Sequence, residues 1–277
     1  VLAGNNQTLS AMFGENNVVK RGIPHIAIPT TAGTGSEVTN IAILSVPSEQ
    51  TKKGVVSDFL LPDLAIVAPE MTLSCPQHIT AASGVDALVH AIEAYLSNFS
   101  SPITDALAIK AMGMIINHLP TAYRSPQDID ARENMATASL MAGLAFGNAG
   151  VGAVHALAYP LGGRYHISHG VSNALLLPYV MEWNKSTCLT RFTHMATALS
   201  TPVTPHDDAE TMANKVIQQL HDLCEEVGIP RGMRTLGIKK DDIPELAKEA
   251  IKVERLLKNN PRKLSLSDIE SIYYAAY

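Results

Sequence analysis

A chain of 277 residues that is 46% hydrophobic and 17% charged can bury a large core, which excludes general disorder and predicts one large domain or two smaller ones. The formal net charge of -5 includes no basic block, so we expect a small-molecule partner, with no nucleic acid and no membrane. Three widely spaced cysteines without CxxC spacing, and no apolar run of about 20 residues, predict a cytoplasmic protein.

The first part of the chain predicts a small sheet. Short runs rich in β-branched residues are typical of strands, and four of them cover residues 25–29, 40–46, 54–57 and 64–67. A polar turn at 47–53 is predicted between the second and the third run. The first run leads into residues 30–37, which are rich in glycine and hydroxyl groups. Their backbone N–H groups can approach a phosphate or a nicotinamide ribose, although such segments are most often turns, and the chain contains no GxGxxG motif.

Helical periodicity takes over from about residue 75. It predicts nine helices, at residues 76–96, 102–123, 129–149, 151–161, 169–182, 190–199, 207–227, 243–252 and 267–276. Asp207 is the predicted N-cap of the seventh helix, and Ser265 with Asp268 has capping-box spacing at the ninth. The chain is therefore predicted to be α/β plus all-α, with an α/β region at residues 1–74 and a large helical region at residues 75–277.

Asp86 and His90 lie four residues apart in the first predicted helix. This spacing puts both side chains on one face, about 6 Å apart along the axis, where they can converge on one ion. The alternative is an ordinary ion pair on the helix surface. Because their neighbours leave little polar face, we expect both to be buried, and a buried carboxylate needs a partner such as a cation.

Three further histidines fall within residues 154–170, a stretch of mostly small and apolar residues. His155 is placed near the start of one helix, and His169 begins the next after a predicted turn at Gly162 and Gly163. Each imidazole alone is more often a satisfied core residue. Together with the helix pair, however, they form a set of one carboxylate and three imidazoles: Asp86, His90, His155 and His169. Mixed N/O ligation suits Fe(II), Zn(II), Mn(II) or Co(II), and the absence of thiolate argues against a structural zinc site.

Three stretches resemble the iron-containing, group III alcohol dehydrogenases. They are residues 29–39, with the letters PTTAGTGSEVT, residues 84–95, with GVDALVHAIEAY, and residues 155–174. The resemblance extends from about residue 18 to Tyr277. It implies a partial dinucleotide-binding α/β region followed by a helical metal-binding domain, in the fold shared with dehydroquinate synthase. It also implies a possible homodimer, since the family commonly dimerises.

The resemblance implies roles for individual residues. Asp86, His90, His155 and His169 would ligate Fe(II), or Zn(II) in some members. Phe146 would border the substrate pocket, and Lys53 would lie against the cofactor ribose. The remaining positions implied to contact NAD(P) are Thr30, Thr31, Gly33, Thr34 and Thr39. The implied reaction is hydride transfer between a primary alcohol and NAD(P)+.

Two departures from the family pattern affect these expectations. The glycine-rich turn that holds the cofactor pyrophosphate in the family is absent from the sequence, as if the N-terminal third were lacking. Tyr159 stands where many members have a histidine that relays the alcohol proton, and a phenol is a poorer relay near pH 7. Tyr159 and His166 are therefore the candidate catalytic side chains, with pocket lining as the alternative role of Tyr159.

Three functions compete on this basis. The leading hypothesis is a metal-dependent NAD(P)-linked alcohol dehydrogenase. The alternative is a truncated, catalytically silent metal-binding or assembly domain of the same family, suggested by the absent phosphate turn. A metallohydrolase has the same ligands, but it gives no reason for the hydroxyl-rich segment at residues 30–39.

Overall fold

The computed structural model describes residues 6–46 and 51–277. The strands in these ranges are β1 (Gly14–Glu15), β2 (Ile26–Ala27), β3 (Ile41–Val46), β4 (Thr51–Val56) and β5 (Leu64–Ala65). A three-stranded sheet has the order β1-β4-β3, with β4 parallel to β1 and antiparallel to β3, and β2 pairs in parallel with β5. All four predicted runs contain a strand, which confirms their type.

The predicted turn at 47–53 is wrong in its last three residues, while residues 47–50 lie outside the described residues. β4 begins at Thr51, because the backbone of β3 continues to Val46 and takes its partners from residues 51–56. Polar side chains do not prevent such pairing, since the backbone makes the ladder.

The helices carry most of the described chain. Their bounds are α1 (Leu9–Met12), α2 (Gln77–Leu96), α3 (Pro102–Arg124), α4 (Ile129–Ala149), α5 (Ala153–Tyr165), α6 (His169–Asn184), α7 (Leu189–Ala198), α8 (Ala209–Glu226), α9 (Ile243–Ala250), α10 (Glu254–Leu257) and α11 (Leu266–Ala275). The nine predicted helices correspond to α2–α9 and α11, and the short α1 and α10 were not predicted. The division into an α/β and a helical domain stays a prediction.

Two local predictions are wrong. Asp208, not Asp207, is the N-cap of α8, because its carboxylate accepts from the Thr211 backbone N–H at 2.8 Å. Gly162 and Gly163 lie inside α5 rather than in a turn, and the helix ends at His166 with a φ of 56°. Gly162 instead lies close to the Lys52 side chain of β4, since a Cβ at Gly162 would be 3.0 Å from the Lys52 Nζ.

The core is organised around α2, which is buried on every side from Val85 to Leu96. α3, α4 and α6 pack against it, so its polar residues Asp86, His90 and Glu93 are held in a rigid apolar surrounding. Within the described residues, no helix alone is both long and apolar enough to cross a membrane, and α4 with α5 meets that test only as a pair bent by 102°.

Tyr273 ties α11 to α5, because its buried hydroxyl donates to the Leu157 carbonyl at 2.6 Å. We expect Tyr273→Phe to lower the free energy of unfolding by about 1 kcal/mol, since it removes this buried hydrogen bond and keeps the ring. Tyr274→Phe, at the exposed neighbouring position, should change it by less than about 0.5 kcal/mol. Urea denaturation of both variants tests this, and equal effects would contradict it.

Candidate metal centre

Asp86, His90 and His155 form a buried cluster whose possible ligand atoms all lie within 4.8 Å of one another. α2 supplies the first two from adjacent turns, and α5 supplies the third. The His155 Nε2 atom is 3.9 Å from Asp86 Oδ1, and the His169 Nε2 atom, from the first turn of α6, is 4.0 Å from the same oxygen. A cation about 2.1 Å from each ligand can bridge atoms up to about 4.2 Å apart, a limit that the separations of 3.9 Å and 4.0 Å meet.

The proton positions on the three imidazoles follow from their partners. The Nδ1 atom of His90 lies 3.1 Å from the Gly33 carbonyl, which can only accept, so this nitrogen carries the proton. His155 Nδ1 lies 2.6 Å from Glu93 Oε2 and donates to it when Glu93 is ionised. His169 Nε2 accepts from the Asn173 amide at 3.1 Å. The Nε2 atoms of His90 and His155 therefore have a free lone pair for a ligand, and that of His169 would exchange its bond to the Asn173 amide for one.

The residues present fit a divalent cation. His155 Nε2 is buried and has no hydrogen-bond partner among the described residues. A buried acceptor of this kind is costly unless something binds to it. Asp86 Oδ1 accepts from Asn173 at 2.6 Å, which holds the carboxylate towards the imidazoles. An oxygen with three imidazole nitrogens is a donor set for Fe(II) or Zn(II).

Burial and neighbouring charges shift the pKa values of the cluster. Burial opposes ionisation of Asp86, but the imidazoles and the Asn173 hydrogen bond outweigh it and hold the Asp86 pKa below its usual value. Burial lowers the pKa of His90, and burial with the adjacent imidazoles lowers that of His155 well below the usual value. Both rings are therefore neutral at pH 7, the state that binds metal. Burial raises the pKa of Glu93 to about 7, against the opposing backbone N–H groups of Gly152 and Val154.

The cluster opens into a cavity of about 470 Å³. Phe146 forms one wall and stacks on His90 with ring centroids 4.2 Å apart. The other lining residues come from the hydroxyl-rich segment, from β3 and β4, and from the helices, and they include Thr34, Ser36, Thr39, Lys52, Tyr159 and Arg255. The structure therefore brings the four predicted metal ligands together with Phe146, Thr34, Thr39 and Tyr159.

Other predicted site residues lie elsewhere. Thr30, Thr31 and His166 are not among the described residues that line the cavity, and His166 is exposed at the end of α5. Gly33 contributes through its carbonyl bond to His90 and packs against the Ser83 backbone, where a Cβ would lie 2.9 Å from the carbonyl oxygen. Lys53 faces the opposite side of β4, with Nζ 5.6 Å from the Phe13 ring centre.

Sequence reasoning missed four polar residues of the site. Lys52 faces the cavity, where burial lowers its pKa and the charge of Asp86 opposes that effect. Arg255 lines the cavity with Tyr159, and its charge opposes the rise that burial causes in the Tyr159 pKa. Glu93 and Asn173 orient ligands. Glu93 lies seven residues after Asp86 on the same helix, a spacing that the sequence does show.

Comparisons with known proteins define the class. The family model described as Fe-containing alcohol dehydrogenase, C-terminal, matches residues 80–277, and the iron-containing alcohol dehydrogenase model matches residues 1–69. The chain belongs to the iron-containing alcohol dehydrogenase family, a class of metal-dependent oxidoreductases. This result confirms the family and the fold that the sequence predicts.

Individual relatives agree with this assignment. Long-chain-alcohol dehydrogenase 1 of Geobacillus thermodenitrificans is 46% identical over 96% of the chain and 67% of its own length. Alcohol dehydrogenase from Oenococcus oeni superposes with a TM-score of 0.95 at 36% identity, over 99% of this chain and 71% of that one. Sulfoacetaldehyde reductase from Bifidobacterium kashiwanohense, solved with NAD+, gives 0.84 at 33% identity, over 98% and 70%. The chain thus spans about two thirds of the length of these proteins.

Proposed function

We propose that the chain catalyses hydride transfer between a primary alcohol or its aldehyde and NAD(P), with a divalent cation held by Asp86, His90, His155 and His169. One observation carries the proposal: the buried His155 Nε2, which has no hydrogen-bond partner among the described residues, lies beside Asp86 and His90 on the cavity that the hydroxyl-rich segment also lines. A metallohydrolase would need the same ligands, but it would leave the shared wall of Thr34, Ser36 and Thr39 without a role.

The cation would act as a Lewis acid that polarises the substrate oxygen. We propose Fe(II), with Zn(II) as the other candidate, since both suit mixed N/O ligands. Two imidazole rings are held in place before the cation binds, because the Gly33 carbonyl fixes His90 and the Glu93 carboxylate fixes His155. Asn173 holds Asp86 Oδ1 close to His169 Nε2. Fixed ligands lose little entropy on binding, which favours affinity.

The apolar part of the cavity has a second task. Phe146 covers His90, while Ile41, Ile43 and Val151 supply further apolar lining. Such a wall excludes water from the reacting carbon and strengthens electrostatic interactions inside the site. Tyr159, on the same cavity, holds its proton at Oη because burial raises its pKa, so we propose that it donates a hydrogen bond to the substrate rather than relaying a proton. His166 as a relay stays a prediction.

The cofactor is proposed to be NAD(P), which would supply or accept the hydride. Two observations support this. The Bifidobacterium reductase was solved with NAD+, and Thr34, Ser36 and Thr39 line the same cavity as the predicted metal ligands. Thr30 and Thr31 remain predicted contacts of the cofactor. We also propose a reducing, cytoplasmic location, which the free thiols of Cys75, Cys188 and Cys224 support.

Alcohol-dependent reduction of NAD+ and NADP+ by the purified, Fe(II)-loaded chain tests the proposed function. We expect turnover that disappears after chelation and returns when Fe(II) or Zn(II) is added. A chain that binds one cation but shows no turnover with any primary alcohol or aldehyde would favour the silent metal-binding domain instead.

Lys52 and Lys53 offer a matched pair on β4. We expect Lys52→Ala to raise the KM for cofactor or alcohol about tenfold, because the charge of Lys52 lines the cavity and can make a charge-assisted hydrogen bond there. Lys53→Ala should change it less than about twofold, as expected for a residue on the opposite face of the strand. Steady-state kinetics at equal metal content measures both, and a larger effect at Lys53 would restore the assignment based on sequence.

A further inference from the structure

We propose that Glu93 is a positioning residue that sets the orientation and proton position of His155 for the cation. The inference rests on the proposed function and deepens it. Glu93 is 4% exposed, lies outside the ligand set, and bonds directly to one of its members. A neutral imidazole has one N–H, so donating Nδ1–H to a carboxylate leaves Nε2 as the ligand atom.

The second oxygen of Glu93 fixes the backbone beside the histidine. Oε1 accepts from the Val154 backbone N–H at 2.6 Å. Gly152 is the N-cap of α5 and has no side chain to cap the helix. Glu93 of α2 therefore caps α5 from outside, where a negative charge is favourable. One carboxylate thus sets both the start of α5 and the rotation of the His155 ring.

The spacing along α2 makes this coupling efficient. Asp86, His90 and Glu93 are residues i, i+4 and i+7, which fall on one stripe of a helix. α2 therefore supplies two ligands and the residue that orients a third, from one rigid buried element. A carboxylate that holds the far nitrogen of a metal-binding imidazole typically changes metal affinity by about 10- to 100-fold when it is removed.

A purely structural role for Glu93 as a helix cap is the competing explanation. The start of α5 has another anchor, because Asn260 Oδ1 accepts from the Ala153 N–H at 3.4 Å and is itself held by Asn184. Glu93→Gln keeps the shape and one acceptor oxygen, so we expect the variant to fold. It cannot accept from both His155 and Val154 with the same strength, since one carboxylate oxygen becomes an amide N–H₂ donor.

The test measures affinity rather than activity. Metal-free wild type and Glu93→Gln are titrated with Zn²⁺ and Co²⁺ against a competing chelator, and the visible spectrum of the Co²⁺ form is recorded. We expect a dissociation constant about 10- to 100-fold higher in Glu93→Gln, with an altered Co²⁺ spectrum. Glu93→Asp keeps the charge but shortens the reach, so its dissociation constant should lie between those of the wild type and Glu93→Gln. This variant also tests the inference if Glu93→Gln fails to fold.

Asp105→Asn is the control, because Asp105 pairs with Arg191 on a partly buried surface of α3 outside the cavity lining. It should alter thermal stability without changing either dissociation constant. Wild-type affinity and spectrum in Glu93→Gln, or in Glu93→Asp if only that variant folds, would overturn the inference and leave Glu93 as a cap. A wild-type chain that binds neither ion would instead contradict the proposed function, so the two failures are distinguishable.

Discussion

Replacing Asp86 or His155 by alanine should abolish cation binding and lower kcat/KM by at least about 10³-fold. Each substitution removes one ligand from a buried set, and a Lewis acid is expected to supply several kcal/mol of transition-state stabilisation. Asp86→Ala also leaves the Asn173 amide without its 2.6 Å acceptor. Metal analysis of protein purified without chelator should give close to one equivalent for the wild type and background for both variants.

His78→Ala is the matched control for these substitutions. His78 lies on the same helix, α2, but it is exposed and does not line the cavity. Its removal should leave both metal content and kcat/KM within about twofold of the wild type. Unchanged metal content in Asp86→Ala or His155→Ala would refute the ligand assignment, whatever happens to activity.

The helical part of the site could be predicted because an α-helix fixes which residues share a face. The spacing of Asp86 and His90 indicated a shared face, and the same rule extended to i+7 would have identified Glu93. The interaction of Glu93 with His155 could not be predicted from this spacing. The bond from Glu93 to His155 spans 62 residues and depends on how α2 packs against the start of α5.

The strand residues of the site were harder to predict. Lys52 and Lys53 have the same chemistry, and adjacent residues of a strand point to opposite faces. Which lysine faces the cavity depends on the pairing of β4 with β3, and this register is a tertiary property. His166 shows the same limit at a helix end: it is close in sequence to His169, but α5 ends there with a left-handed φ and leaves the imidazole exposed.

Residues 33–36 are subject to a second tertiary constraint. Gly35 has a φ of 56°, and a Cβ there would lie 2.5 Å from the Cα of Gly143 in α4. In the other direction, a Cβ on Gly143 would lie 2.9 Å from the Gly35 Cα. The two backbones therefore touch without side chains between them. This contact fixes the segment that gives Thr34 and Ser36 to the cavity and the Gly33 carbonyl to His90.

Gly143→Ala should therefore lower both stability and activity. In an open helix this substitution would stabilise by up to about 1 kcal/mol. Here the new methyl group meets backbone, which cannot rotate away, so we expect a loss of about 1–3 kcal/mol in the free energy of unfolding. Displacement of the segment by even about 1 Å should lower kcat/KM by about 10²-fold. Urea denaturation and steady-state kinetics at saturating metal measure the two effects.

Gly147→Ala, one turn later on α4, separates packing from helix propensity. A Cβ there would lie 3.5 Å from the Thr39 Cγ2, an ordinary contact, so this variant should be neutral or up to about 1 kcal/mol more stable. If the free energy of unfolding falls in Gly143→Ala but not in Gly147→Ala, contact with Gly35, rather than the loss of a glycine, determines the cost. If Gly143→Ala is as stable and active as Gly147→Ala, the segment is not held by α4, and the position of the proposed cofactor contacts must have another cause.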